Sequence, residues 1–342
     1  DNLFISSNEN VAWLLNLRGS DNPNAPIPNC KVIINKNKKI YFFSELNKTK
    51  KIHKNKYYKN IEFFEQHDFY KVLSFIKGKN FSIDKSSCSI FEENLIKSKF
   101  LVKYLDDPCY THKSKKNKTE IYNTIKTHIY DGVALTKFIF WLKNKKKLNI
   151  TELDVERKLE NLRKKSKYYN YPSFSAIVGS GSNGAIIHYR ANKFSNKKLL
   201  KNDILLVDTG GQYNFGTTDV TRTISFINQS NYIKNIYTNV LKGHIAVTTS
   251  KINFNTTGAK LDRIARKYLK KFNLDYPHST GHGVGYFLNV HEGPISISKS
   301  YNKPFSEGMI LSNEPGYYKK NSFGIRIENL IYVKKNQKIY IL

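Results

Sequence analysis

The sequence predicts an α/β (α+β) fold in two domains, on three observations. At 342 residues the chain is about twice the size of one ordinary domain. Its first third alternates short β-branched and aromatic runs with polar turns, the pattern of strands. The remainder opens with two helical periodicities and continues in strand-rich segments.

The elements follow in order. Ala12-Trp-Leu-Leu-Asn16 is an apolar run closed by Arg18-Gly19-Ser20-Asp21. Lys31-Val-Ile-Ile-Asn35 and Lys39-Ile-Tyr-Phe-Phe43 read as two strands joined by the turn Lys36-Asn37-Lys38. Phe81-Ser-Ile-Asp84 reads as a further strand, and Asn94 to Tyr104 as a short helix and strand. Between Leu105 and Lys118 the chain is polar and carries Pro108, so the division is placed there, giving domains 1–112 and 113–342. Thr119 is read as the cap of a long helix whose apolar face runs through Ile121, Ile125, Ile129, Val133, Phe138 and Trp141. Thr151, with Asp154 three residues on, starts a second helix to about Lys164. Strands are expected at 175–178, 185–189, 204–208 and 221–226, and helices at 233–248 and 261–271.

Composition narrows the function classes. With 39% hydrophobic residues, 23 Tyr and 21 Phe, the chain is not a disordered one. Three widely spaced cysteines (Cys30, Cys88, Cys109) offer neither a disulfide framework nor a thiolate zinc site, which suits a reducing, cytoplasmic setting. No apolar run reaches the ~18 residues of a membrane span. The chain begins at Asp1 rather than Met, which reads as part of a longer protein whose targeting segment is not visible. The formal charge is +30, and lysine clusters appear at 48–59, 113–118 and 143–147. They alternate with Asn between apolar segments and lack zinc-finger spacing or an interleaved aromatic pattern. They read as solvated surface, with no nucleic-acid partner.

Gly179-Ser-Gly-Ser-Asn-Gly184 fits the dinucleotide fingerprint G-x-G-x-x-G, with Asp203 about twenty residues on. That fingerprint needs a helix after its third glycine. Ala-Ile-Ile-His-Tyr follows instead, so the glycines read as a hairpin turn between two strands. The more informative residues are Asp208, Asp219, His282, Glu314 and Glu328. Two Asp, two Glu and one imidazole form a donor set that could hold two divalent cations about 3.5–4 Å apart. Carboxylate-dominated ligation favours harder ions such as Mn²⁺. Taken singly, each acid also reads as a surface charge or cap, although Asp208 and Glu328 close apolar runs where an ionised carboxylate demands a partner. Spacing alone leaves both readings open.

Five blocks carry a resemblance. Val207-Asp-Thr-Gly-Gly-Gln-Tyr213 precedes Gly216-Thr-Thr-Asp-Val-Thr-Arg-Thr223, and then comes His278-Ser-Thr-Gly-His-Gly-Val-Gly-Tyr-Phe-Leu-Asn-Val-His-Glu-Gly-Pro294. Glu314-Pro-Gly-Tyr-Tyr318 and Gly324-Ile-Arg-Ile-Glu-Asn329 close the series. In content and order they resemble the aminopeptidase P family over about half the chain, from Ser173 to Val333. Methionine aminopeptidases and prolidases share the five ligand positions but not the Phe-Leu-Asn-Val-His-Glu-Gly-Pro stretch. Ala12 to Asp21 resembles the creatinase-like domain of longer members. The further N-terminal domain and C-terminal extension of those members have no counterpart here, and the Lys and Asn richness is atypical.

The resemblance implies a pita-bread catalytic domain preceded by a smaller creatinase-like α/β domain. It implies an Xaa-Pro aminopeptidase acting on peptides with proline second, with prolidase or a non-catalytic binding module as alternatives, and it leaves a homodimer open. Two divalent metals, Mn first with Zn or Co as alternatives, would be held by Asp208, Asp219, His282, Glu314 and Glu328. Glu314 would also act as general base and His291 as donor to the oxyanion. His188 and His278 would lie around the proline, with Arg326 beside the site.

Overall fold

The computed structural model describes residues 1–145, 147–253, 255–334 and 338–342. Lys146, within one of the lysine clusters, lies outside the described residues. The chain divides into two compact units, residues 1–113 and 114–342.

The first unit is built on a mixed six-stranded sheet. Its strand order is Ile61–Phe64, Ile40–Phe43, Lys31–Asn35, Asn2–Ile5, Asn80–Ile83, Leu101–Tyr104. The hairpin at 31–43 forms as expected, with Lys31 opposite Phe43. Asn35 Oδ1 accepts from the backbone N–H of Asn37 and of Lys39, which holds the turn while Lys38 takes φ 62°. Alternation places Ile33, Tyr41 and Phe43 on one face with Phe69 and Leu73, and Val32 and Phe42 on the other with Val11. The run Ala12–Asn16 is not extended. It is the end of a helix, Asn8–Leu14, that begins in polar residues and is capped by Ser7, whose Oγ accepts from the N–H of Asn10. The segment 94–104 gives the end of the helix Ile90–Lys97 and the strand Leu101–Tyr104.

The second unit packs the helices Lys118–Lys143, Glu152–Arg163, Asn231–Thr248 and Gly258–Lys270 with small antiparallel sheets. Thr151 and Asp154 form a reciprocal capping box, as the spacing predicts. The long helix is capped by Asn117 rather than Thr119, because Asn117 and Glu120 satisfy each other's backbone N–H groups. Its orientation also differs from the periodicity. Thr124, Thr127, Asp131, Ala134, Leu135, Phe138 and Leu142 are buried, whereas Ile129 is 60% exposed and Val133 48%. The cause is Asp131, whose carboxylate receives Arg163 Nε at 2.7 Å and Nη2 at 3.0 Å and the hydroxyl of Tyr213 at 2.8 Å. A buried ion pair with every partner in place turns the polar-bearing face inward.

The lysine cluster at 113–118 is not wholly solvated. Lys113 is buried against Glu9, and Lys116 is buried against Glu292.

The glycine-rich turn is also not a hairpin. Strand Ile177–Ser180 runs into a 3₁₀ turn, Gly181–Ala185, and no strand follows at 185–189. The organiser is Glu152, distant in sequence and fully buried. Its carboxylate accepts from Ser180 N–H (2.8 Å), Lys197 N–H (3.0 Å), Asn183 Nδ2 (3.0 Å) and Tyr189 OH (2.8 Å). The backbone passes so closely that a Cβ on Gly324 would sit 1.7 Å from the Gly184 carbonyl oxygen. The glycines serve chain-to-chain contact rather than a phosphate.

Candidate metal centre

Each acid of the sequence set stands at the end of a strand or just outside one. Asp208 is the fifth residue of Ile204–Thr209, a strand buried throughout. Asp219 precedes the antiparallel partner Val220–Ser225, whose Thr221 lies opposite Asp208, so both aspartates meet at one end of the pair. His282 sits in Gly281–Gly283, Glu314 follows Ile310–Asn313, and Glu328 precedes Asn329–Lys334. These three strands are neighbours in one sheet, which brings their ends together.

The donor atoms converge. Asp208, Asp219 and Glu328 offer oxygens within 4.8 Å of one another, and His282, Glu314 and Glu328 form a second such group sharing Glu328. His282 Nε2 lies 3.4 Å from both Asp219 Oδ2 and Glu314 Oε1. The Nδ1–H assigned to this ring donates to the Gly283 carbonyl at 2.9 Å, which turns the Nε2 lone pair toward the acids. Hydroxyls hold the carboxylates in turn: Thr221 donates to Glu328 Oε2 (2.7 Å) and Ser312 to Glu314 Oε1 (2.9 Å).

The cluster is electrostatically incomplete without cations. Asp208 Oδ1, Asp219 Oδ1 and Glu328 Oε1 are buried without a hydrogen-bond partner. Among the described residues Arg326 is the one guanidinium inside the cluster, with Nη2 at 2.5 Å from Asp208 Oδ2. Burial, reinforced by Asp208 and Glu314, pushes the carboxyl of Asp219 well above its ordinary range. Burial followed by Asp219 and Glu314 does the same to Glu328. Orphaned oxygens on three of four adjacent carboxylates, with one imidazole, fit two divalent cations.

A pH effect follows from those directions. In chelated protein, carboxyls raised above their unfolded values favour the folded state while protonated. That contribution fades as pH rises from the ordinary carboxylate range through the raised values. Bound cations must displace those protons, so the rise in Tm on adding saturating metal is expected to be larger at pH 7 than at pH 5. Calorimetry at both pH values checks this, and an equal rise would contradict it.

The centre opens into a cavity of about 370 Å³ whose lining includes all five of these residues and His188, His278, His291 and Arg326. Every site residue proposed from the sequence therefore borders one space. His188 stands on the irregular segment after the 3₁₀ turn, not on the expected strand. His291 directly precedes Glu292–Ile297, and its ring meets that of His282 edge-on at 4.1 Å. The buried pair of Glu292 with Lys116 fixes the backbone that presents it. Arg326 Nη1 donates to Tyr318 OH (2.6 Å), which donates to His278 Nε2 (2.8 Å), while His278 Nδ1–H donates to the Ser279 carbonyl (2.7 Å). Burial, with Arg326 nearby, brings His278 down to about 4, so its imidazole is neutral.

Sequence reasoning gave no role to Tyr318, Thr221 or Ser312. Tyr318 lay inside a quoted block, and Thr221 follows Asp219 by two, on the strand that begins just after it. Ser312 carried no signal of its own.

Comparisons with known proteins agree with this geometry. Residues 124–335 match Metallopeptidase family M24, and residues 1–120 match the Creatinase/Prolidase N-terminal domain. Aminopeptidase P2 of Arabidopsis thaliana is 36% identical over 97% of this chain and 52% of its own length. A probable Xaa-Pro aminopeptidase P of Metarhizium acridum is 38% identical over 98% of this chain and 57% of its own. The chain thus spans just over half the length of these curated relatives. Among solved structures, an X-prolyl aminopeptidase of Caenorhabditis elegans, described as a cytosolic enzyme with a di-nuclear active site, superposes with a TM-score of 0.91. It is 30% identical and covers 100% of this chain, which corresponds to 58% of that one. A prolidase of Pyrococcus furiosus matches at TM-score 0.80 and 25% identity, over 100% of this chain and 95% of that one. These matches give the larger unit the pita-bread fold and the smaller one the creatinase-like fold. With the whole acid cluster inside the matched residues, the chain belongs to metallopeptidase family M24.

Proposed function

We propose that the chain carries an Xaa-Pro aminopeptidase, which hydrolyses the peptide bond between an N-terminal residue and a following proline. The observation that carries the reading is the set of orphaned carboxylate oxygens converging with His282 at the floor of a cavity walled by His188, His278 and His291. Asp208, Asp219, His282, Glu314 and Glu328 would hold two divalent cations, with Mn²⁺ favoured by the oxygen-rich donors and Zn²⁺ or Co²⁺ next. When bound, such a pair supplies a water nucleophile near neutral pH and polarises the scissile carbonyl.

The remaining chemistry belongs to the chain. Glu314 Oε1, oriented by Ser312, takes the proton from the attacking water. His291 donates to the oxygen on which negative charge develops. His278, held neutral and fixed through Tyr318, and His188 border the space for the proline ring. Arg326 orients Asp208 and Tyr318 together. The three free cysteines favour a cytoplasmic setting, as described for the nematode relative.

Prolidase activity is the second reading, favoured by the likeness to the Pyrococcus furiosus prolidase along nearly its whole length. A substrate panel separates the two. Hydrolysis of Ala-Pro-Ala but not Ala-Ala-Ala supports the aminopeptidase. Cleavage of Ala-Pro with the tripeptide left intact supports the prolidase.

A further inference from the structure

We propose that Arg190 is a specificity-determining residue that binds a carboxylate on the leaving side of the substrate. The inference rests on the peptidase reading above and adds which peptides that site prefers.

Tyr189 fixes the rim of the cavity. Tyr189 is buried, and its hydroxyl accepts from Asn183 Nδ2 (2.7 Å) and donates to Glu152 Oε2 (2.8 Å). With Tyr189 locked inward, its neighbours His188 and Arg190 are both left exposed and both border the cavity. They share the wall with Ile187, so one short segment presents an apolar group, an imidazole and a guanidinium to the same space.

The two arginines of the lining differ in commitment. Arg326 is buried and spends its donors on Asp208, Thr221 and Tyr318. Among the described residues Arg190 takes part in one hydrogen bond, through its backbone carbonyl, which accepts from Ser195 Oγ at 3.5 Å. No acidic side chain among the described residues pairs with its guanidinium, although four carboxylates line the same cavity. Those four are formally balanced by two divalent cations. With the centre filled and Arg326 committed to its buried partners, Arg190 is a cationic group without an acidic partner at the exposed rim of the cavity.

A peptide bound with its scissile carbonyl at the metal floor directs its C-terminal part away from the amine-binding end. In a short peptide that part ends in a carboxylate, and a planar guanidinium matches it with two parallel N–H donors. The acid could instead be the side chain of a residue after proline. The shared chemistry is a carboxylate one or two residues beyond the scissile bond.

The test uses metal-loaded protein and three substrates: Ala-Pro-Ala as free acid, its C-terminal amide, and Ala-Pro-Glu amide. For the wild type, KM for the free acid is expected to be about tenfold below that for the amide, with kcat similar, the size of one charge-assisted hydrogen bond. Arg190→Ala should level the two KM values and leave kcat and KM on the amide unchanged. Arg190→Lys should keep part of the preference. A gain for Ala-Pro-Glu amide that Arg190→Ala removes would extend the binding to side-chain acids, and no gain would restrict it to the terminus. A wild type that treats acid and amide alike, or a preference that survives in Arg190→Ala, would overturn the proposal. Equilibrium binding of Pro-Ala and Pro-Ala amide, read by calorimetry, needs no turnover. If no Xaa-Pro peptide is cleaved, the peptidase reading fails, and this binding preference with its loss in Arg190→Ala still decides the role of Arg190.

Discussion

Asp219→Ala is expected to abolish peptidase activity and reduce metal content while leaving the chain folded. Asp219 contributes to two of the ligand groups, one with Asp208 and Glu328 and one with His282 and His291, so its loss strips donors from both halves of the centre. Removing a partner of the outer sphere costs about 10–100-fold in metal affinity or activity. Loss of a carboxylate that would itself hold the cations should cost more. Thr221→Val, which removes the hydroxyl that donates to Glu328 and accepts from Arg326 Nε, sets that smaller scale within the same protein. Stability separates the effect from misfolding. Asp219 is buried beside Asp208 and Glu314 with its carboxyl raised, so the ionised form is unfavourable in the absence of metal. The chelated variant should therefore melt no lower than chelated wild type. Elemental analysis and calorimetry on the same preparations check both parts, and full activity with two metals retained would refute the assignment.

His291→Ala is expected to lower kcat by about 10²–10³, or ~2.7–4 kcal/mol, with KM nearly unchanged, as for loss of one donor that acts as the oxyanion forms. The geometry poses a sharper question than the sequence did. The His291 ring lies 4.1 Å from that of His282, and its donor atom falls in a ligand group with Asp219 and His282. A ligand role would show as lost metal, an oxyanion role as lost kcat with metal retained. Comparing His291→Ala with His282→Ala at matched folded concentration, with metal measured in both, decides between them. Wild-type kcat in His291→Ala with both metals bound would remove it from the chemistry.

Local chemistry was legible in the sequence wherever the deciding contact was also local. The hairpin at 31–43 and the Thr151 cap depend on residues two to four positions apart. The strand Asn2–Ile5 was not legible, because its four residues pair with partners about 30 and 80 positions away. The long helix was misoriented because apolar periodicity cannot register the Asp131–Arg163 pair that turns a polar face inward. The glycine-rich turn was misread as a hairpin because Glu152, which shapes it, lies about thirty residues upstream. In the site, acids ending apolar strands signalled themselves through their cost of burial, and recurring blocks supplied their grouping. Thr221, Ser312 and Tyr318 were silent, since hydroxyls are common and only strand register brings these to carboxylates and imidazole. Arg190 was silent for the opposite reason, being marked only by what does not pair with it.

The central claim is a dinuclear centre that cleaves before proline, and a metal titration tests it most directly. Exhaustively chelated protein is titrated with Mn²⁺ while hydrolysis of Ala-Pro-Ala is followed. Activity is expected to be absent at the start and to rise to a break at two equivalents per chain, with two ions found by elemental analysis at the plateau. Full activity in the chelated protein, or saturation with no metal bound, would contradict it.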